Sequence, residues 1–553
     1  MSVSVDYAVL LPALLPVIGL VLVLVADLVV PRLRRAPYAI AGLASVATVV
    51  ATFPGLGQGG GSARATFCIS ATSAASAGAG AGADGAAGGT SGAAGAIIAD
   101  LPQACLWQAD ALTSTLQLAA ALAAAVCIAL AWPRARRPRP GDATTEPVEA
   151  VLLLTALTGT VVVAASRDVG TWLVALELAT LPVIALVALS GRRSAVAGAT
   201  QLLVTSLVSF ALLVLGVALW FTATGSPFLT PDAALSSGIA QGVGWFASTP
   251  LPATATALPA SATATIVAWP SVSAGVLSLG IVLLLAGLGF KLSLVPFHAW
   301  TPTAYSGAST PIAAFLATVS KVAALAALLV VLRAVSALGT PALIAIAVLA
   351  ALSMTLGNLM ALRQDDVVRL LAWSTVSQAG WVVMPLVSIS ALGTGASATY
   401  LLAYVIATLV AFAVVAVTLR ERPDGRDLAA YDGLWHRNPW RAGALLLALT
   451  SLAGLPPGII GLVGKVVALR PVIAEGWVWL AVIAAVNAVL GVAVYLRWLR
   501  GVITAPDPTS TAGAPTPALS TEKRRVAVAG LVVSAAVLVV VSVQPDLLLR
   551  LLG

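Results

Sequence analysis

The chain has 553 residues, of which 60% are hydrophobic and 9% charged, with a formal net charge of +8. Soluble globular domains carry about 25% charged residues, so this composition excludes a water-clothed protein and makes lipid the solvent. The positive balance does not point to nucleic acid either, because the basic residues are scattered through short loops, as the positive-inside rule arranges them.

At roughly 20 apolar residues per crossing, the sequence predicts an all-α membrane protein of about fourteen spans. They run over 7–30, 36–54, 108–132, 147–166, 169–190, 194–223, 272–303, 310–334, 341–362, 370–388, 395–419, 442–469, 475–498 and 526–548. The first apolar run is too long for a cleavable signal and lacks its basic start. Three segments cannot span: the Gly/Ala-rich stretch 55–105, the Thr/Ala/Pro-rich stretch 224–270, and 501–521 with Pro506, Pro508, Pro515 and Pro517. Their composition predicts flexible loops without chemistry of their own. Cys68, Cys105 and Cys127 lack metal-ligand spacing and read as bystanders that need not pair.

Charge placement bears on topology. With the N-terminus outside and each span crossing once, inner loops hold 21 basic residues and outer loops hold five, namely Arg64, Arg167, Arg333, Arg470 and Arg550. This bias predicts both termini outside. The three remaining basic residues, Lys291, Lys321 and Lys465, fall inside spans, and the only other lysine is Lys523 in an inner loop.

That segregation is the most informative feature of the sequence. Arginine stays charged in proteins, whereas a buried lysine changes protonation readily. An ionisable group at the bilayer centre costs at least about 2.5–3.5 kcal/mol, and a proton relay is the usual reason to retain one. Glu177, in the middle of Trp172–Pro182 (WLVALELATLP), is the matching buried acid. A static ion pair would account for one lysine and leave two unexplained. Lys291 is followed by Pro296, Pro302 and Gly307, and Lys465 is preceded by Gly454, Pro456, Pro457, Gly458, Gly461 and Gly464. Broken helices are expected there, and such breaks are tolerated where they line a protein-enclosed or wet interior. His298, seven residues after Lys291, is a further candidate because histidine titrates near neutral pH. Ser293, Thr318, Ser320, Ser374, Thr375, Ser377, Gln378 and Asn487 are polar groups able to hold water or cross-link helices.

Several stretches resemble one family closely. Gly289–Pro311 (GFKLSLVPFHAWTPTAYSGASTP), Ala314–Val322 (AFLATVSKV), Trp172–Pro182, Arg369–Trp381 (RLLAWSTVSQAGW) and Ser451–Lys465 (SLAGLPPGIIGLVGK) are similar to the subunit N family of bacterial proton-pumping NADH-quinone oxidoreductase, complex I. The match covers about 147–500. The resemblance implies two inverted five-helix repeats, spans 4–8 and 9–13, with broken helices 7 and 12. It implies domains at 1–146, 147–335, 336–500 and 501–553. It also implies that Glu177, Lys291, Lys321 and Lys465 form a proton relay, with His298 as an accessory, in a translocase subunit. That subunit would sit in the bacterial plasma membrane among other membrane-arm subunits, lipid and protons. The chain itself is expected to hold no cofactor, with NADH, FMN, iron–sulfur clusters and quinone bound in other subunits. Lys465 argues against the sister subunit M, which usually has glutamate there. The missing long lateral helix argues against sister L. Thr303, Ser309 and Val368 depart from the family pattern. A cation/proton antiporter subunit and a structural scaffold are the rival readings.

Overall fold

The computed structural model describes residues 5–29, 34–56, 64–69, 104–133, 145–230, 274–335, 341–422, 424–505 and 521–550. Its helices are α1 (Tyr7–Val29), α2 (Ala36–Thr52), α3 (Ala111–Ala131), α4 (Glu146–Ala165), α5 (Val169–Ala188), α6 (Arg193–Thr224), α7 (Ala274–Leu292), α8 (Trp300–Gly307), α9 (Thr310–Ala317) and α10 (Val319–Val335). The second half holds α11 (Pro341–Ala361), α12 (Val367–Val383), α13 (Ala391–Glu421), α14 (Pro439–Ala453), α15 (Ile459–Ala474), α16 (Val478–Ile503) and α17 (Thr521–Val543).

Thirteen helices among the described residues are long and apolar enough to cross a membrane. The twelfth crossing is made by two shorter helices, α14 and α15, which brings the crossings to the expected fourteen. Burial orders them. The eighth, tenth and eleventh spans are 94% buried over their most apolar windows, whereas spans 1, 2, 6, 13 and 14 are 33% buried. The former make a central row and the latter an apolar rim suited to lipid.

One face gathers arginines that tie neighbouring loops together. Arg34 pairs with Glu146 at 3.5 Å, and Arg420 caps the end of α3 through the carbonyls of Leu130 and Trp132. Arg192 reaches the Gly307 and Ala308 carbonyls, and Arg426 reaches Ser306 O and Asp366. Arg497 donates to the Gln364 carbonyl.

The opposite face corrects two expectations. Segment 55–105 is not wholly loop. Arg64–Ile69 and Ala104–Ala109 form β1 and β2, an antiparallel ribbon. Its register sets Cys68 directly across from Cys105, and the two are joined in a disulfide, so these cysteines are not bystanders. Residues 57–63 and 70–103 of that segment lie outside the described residues, as do 231–273 and 506–520 of the other two predicted loops. The ribbon is seated on helix ends. Thr66 accepts from the Asp6 amide, Trp107 bridges Ser166, and β2 runs into Asp110, which caps α3 through Thr113 N. Asp110 also pairs with Arg333 at 2.7 Å. Burial alone would raise the Asp110 carboxyl, but Arg333 and the Thr113 bonds outweigh it and hold it below the usual carboxylate range. Burial pushes the Arg167 guanidinium down to about 10, helped by Arg333 and opposed by Asp110.

Candidate functional site

The breaks that position the lysines follow from backbone arithmetic. In a helix each N–H bonds the carbonyl four residues back, and proline has no N–H to give. Pro456 and Pro457 therefore release the carbonyls of Leu452 and Ala453. Lys465 Nζ takes the Ala453 carbonyl at 2.5 Å, and Gln378 Nε2 takes that of Leu452 at 3.3 Å. Gly454 closes α14 at φ +79°, a left-handed conformation that glycine adopts without penalty. A Cβ on Gly454 would stand 2.9 Å from Lys465 Cδ, so the turn also makes room for the lysine stem.

The seventh span breaks between α7 and α8. Lys291 lies in the last turn of α7, and its carbonyl loses its helical donor because the Val295 amide bonds Ser353 Oγ instead, at 2.9 Å. Lys321 Nζ occupies that Lys291 carbonyl at 3.0 Å and also reaches Ser293 Oγ at 2.5 Å. Ser293 holds φ +67°, a strained region for a non-glycine residue that such sites retain. Its hydroxyl also accepts from Thr301 Oγ1 at 2.7 Å. Trp300 offers its ring face to Lys321 at 4.8 Å and bonds the Phe290 carbonyl through Nε1.

Lys291 Nζ itself turns to α5. It meets Glu177 Oε1 at 2.8 Å and Thr180 Oγ1 at 3.0 Å. Both partners are largely enclosed, with 7% and 13% of their side chains exposed. The structure thus brings Glu177, Lys291 and Lys321 into one connected cluster. Lys465 lies apart in the second half, over the Trp381 ring at 5.3 Å.

His298 joins neither group. Pro296 unwinds the chain before it, so the seven-residue spacing from Lys291 does not set the two on one helical face. The half-buried ring packs on Trp373 with centroids 5.2 Å apart, and Nδ1 has no partner among the described residues.

Between the two lysine groups, polar residues expected from the sequence, Thr375, Gln378 and Ser374, meet three tyrosines that sequence reasoning missed. The eighth span is itself interrupted at Thr318, between α9 and α10. The Lys321 amide bonds Thr318 O, which releases the Ala317 carbonyl, and Tyr404 OH takes it at 2.9 Å and reaches Thr375 Oγ1 at 3.0 Å. One helical turn away, Tyr400 OH donates to Gln378 Oε1 at 2.5 Å. Gln378 Nε2 donates to Tyr495 OH at 3.0 Å, and Tyr495 OH lies 2.6 Å from Ser374 Oγ. All of these side chains are buried. Ser377 and Asn487 belong to a separate clasp with Asn358 that joins α11, α12 and α16. Chemically, the row offers amines, hydroxyls and one carboxylate, and Gln378 and Lys465 take the neighbouring carbonyls of Leu452 and Ala453.

Comparison with known proteins places this geometry. The membrane family described as NADH:quinone oxidoreductase/Mrp antiporter matches residues 166–491. The chain is similar to subunit N of NADH-quinone oxidoreductase from Salinispora tropica, 35% identical over 509 residues, covering 89% of this chain and 84% of that protein. It is similar to subunit N 2 from Streptomyces griseus, 34% identical over 529 residues, covering 93% and 86%. Among solved structures, a chain of respiratory complex I from Thermus thermophilus matches with a TM-score of 0.69 at 27% identity, covering 97% and 98%. A chain of the Mrp complex from Dietzia sp. DQ12-45-1b shares the fold, with a TM-score of 0.69 at 18% identity over 99% and 96%. The chain is a multi-pass member of the NADH:quinone oxidoreductase/Mrp antiporter membrane family, grouped with the NADH-quinone oxidoreductase N subunits.

Proposed function

We propose that this chain is the proton-translocating N subunit in the membrane arm of a bacterial NADH-quinone oxidoreductase, driven by quinone reduction in other subunits. The observation that carries this reading is the holding of the three buried amines. Lys291 is paired with the Glu177 carboxylate, whereas among the described residues Lys321 and Lys465 meet neutral oxygens and tryptophan faces. A carboxylate fixes an ammonium, but a carbonyl dipole and a hydroxyl allow the amine to gain and lose charge at modest cost.

In this reading the arginine-rich face is the inner side of the plasma membrane, and the ribbon and both termini face outside. Residues 147–335 and 336–500 are the two five-helix repeats. Because five is odd, the second repeat starts on the opposite side from the first and is inverted. A proton taken up from the inner side charges the Lys291–Lys321 cluster. A charge displacement reaching Glu177 from a neighbouring subunit loosens Lys291, and its field acts on Lys321 across one carbonyl. The proton then moves by way of the Thr375, Tyr404, Tyr400, Gln378 and Tyr495 hydroxyls and amide toward Lys465, which discharges outward. Coulomb forces at this range stay strong because the surroundings are poorly polarisable.

The test is NADH-driven proton pumping in inverted vesicles carrying the assembled complex with Lys321→Ala or Lys465→Ala. Loss of pumping with retained assembly is expected. Unchanged pumping by both variants refutes the relay, and pumping that requires sodium moves the chain to the cation/proton antiporter class.

A further inference from the structure

Next to the relay, α5, α6, α7 and α10, with Trp300 and Leu316, line a partly open cavity of about 40 Å³. Its walls are mostly apolar, yet one end carries Lys291, Thr180 and Ser320, and the α6 wall carries Thr205, Ser206 and Ser209. Ser206 is 6% exposed, and its hydroxyl has no hydrogen-bond partner among the described residues. A buried hydroxyl left unpaired costs about 1–3 kcal/mol, so the structure leaves an unmet demand facing this space. Lys291 adds a second. Its ammonium has three donors, and Glu177 and Thr180 use two of them. A water needs at least about 10–15 Å³ and two to four polar partners. The cavity has the volume for two or three.

The α6 wall also leads somewhere. Gln201, Thr205 and Ser209 follow one another at spacings of four residues, which sets them in a row on one helical face, and Ser206 lines the same cavity as Thr205 and Ser209. At the end nearer the start of α6, Gln201 accepts from Thr303 Oγ1 at 2.6 Å and donates to the Ala299 carbonyl at 3.1 Å, and this pair is exposed. Thr205 Oγ1 donates to the Gln201 carbonyl at 2.8 Å, and Ser209 Oγ to the Gly287 carbonyl at 2.8 Å. Of the three hydroxyls, that of Ser206 alone is uncommitted among the described residues.

We infer that this cavity is a water site and that water held between Ser206 Oγ and Lys291 Nζ is the last step of proton entry from the Gln201–Thr303 mouth. The step is a proton relay with no net redox change. One water gives a proton toward the Lys291–Lys321 cluster and takes one from its neighbour on the Gln201 side. The inference rests on the proposed relay and adds its entrance, with Ser206 as a positioning residue for water.

Two measurements test it. A high-resolution map of the assembled complex should show water within hydrogen-bond distance of both Ser206 Oγ and the cavity face of Lys291, and a dry cavity overturns the proposal. Ser206→Leu, which fills the space, should lose pumping in an assembled complex, while Ser206→Thr, which restores a hydroxyl, should recover it. If Ser206→Leu pumps normally while Lys321→Ala does not, the relay stands and this entrance is wrong. If neither variant changes pumping, the relay fails and the entrance fails with it.

Discussion

Replacing Glu177 with glutamine separates charge from shape at the start of the row. Two unit charges 2.8 Å apart attract by about 6 kcal/mol at an effective dielectric of about 20. A glutamine carbonyl can still accept from Lys291 Nζ, but a net hydrogen bond contributes only about 1 kcal/mol. Most of the interaction is therefore charge, and with 13% of the Glu177 side chain exposed, solvent screens little of it. Glu177→Gln should leave helix packing and assembly intact and abolish the electrostatic hold on Lys291. In inverted vesicles, NADH oxidation should continue while acidification measured by dye quenching falls. Melting of the purified complex gives a second readout. Breaking a buried pair costs about 3–5 kcal/mol, whereas removing both charges is milder, so Glu177→Gln with Lys291→Gln should be more stable than either single variant. Wild-type pumping by Glu177→Gln, or strictly additive melting shifts, would refute the reasoning.

Other consequences are equally measurable. Tyr400→Phe leaves the Gln378 carbonyl without its donor, at a cost of about 1–3 kcal/mol, and should slow pumping in stopped-flow acidification without affecting assembly. Gly454→Ala places a methyl against the Lys465 stem and an L-residue at φ +79°. It should destabilise the complex by about 1–2 kcal/mol and reduce pumping, as read from melting and dye quenching together. Asp110 has a lowered carboxyl in the folded chain, so its stabilising contribution is fully present above its ordinary value of about 3.8 and is lost as pH falls through the lower folded value. The melting-temperature gap between wild type and Asp110→Asn should be constant near neutral pH and close on acidification below about 4.

Much of this architecture is legible in the residues, and the exceptions have physical causes. Fourteen crossings follow from apolar length, and the seventh and twelfth breaks follow from Pro296, Pro456, Pro457 and the glycines beside them, because a missing N–H acts locally. The interruption at Thr318 has no such marker. It comes from contacts made by distant parts of the chain, with Tyr404 holding the Ala317 carbonyl 87 residues away. The tyrosines were invisible for the same reason, since an aromatic residue in an apolar helix looks like packing until its hydroxyl partner is known. The ribbon was hidden by composition. Two six-residue strands flank a long Gly/Ala-rich stretch, and only their register sets Cys68 against Cys105. His298 stands apart from the lysines because Pro296 ends the helix between it and Lys291, so seven residues do not set the two on one face.

The breaks therefore do more than bend helices. Each one strips a carbonyl of its helical donor and presents that dipole inside the protein, where an unpaired polar group is costly. At Ala453 and Lys291 the new donor is a lysine amine, and at Ala317 it is a tyrosine hydroxyl. The cost of the break and the cost of burying the amine offset one another, which explains why lysines and broken helices coincide without a carboxylate for each. It also orders the substitutions by severity. Pro457→Ala returns the N–H four residues after Ala453, a backbone donor that competes with Lys465 for the Ala453 carbonyl and leaves the lysine with the Trp381 face. A cation over an aromatic ring is worth about 0.5–2 kcal/mol, too little to hold a desolvated ammonium. Pro457→Ala should thus disable pumping as thoroughly as Lys465→Ala in the same vesicle assay, although the lysine is still present. A variant with a repaired helix and undiminished pumping would show that the freed carbonyl is incidental.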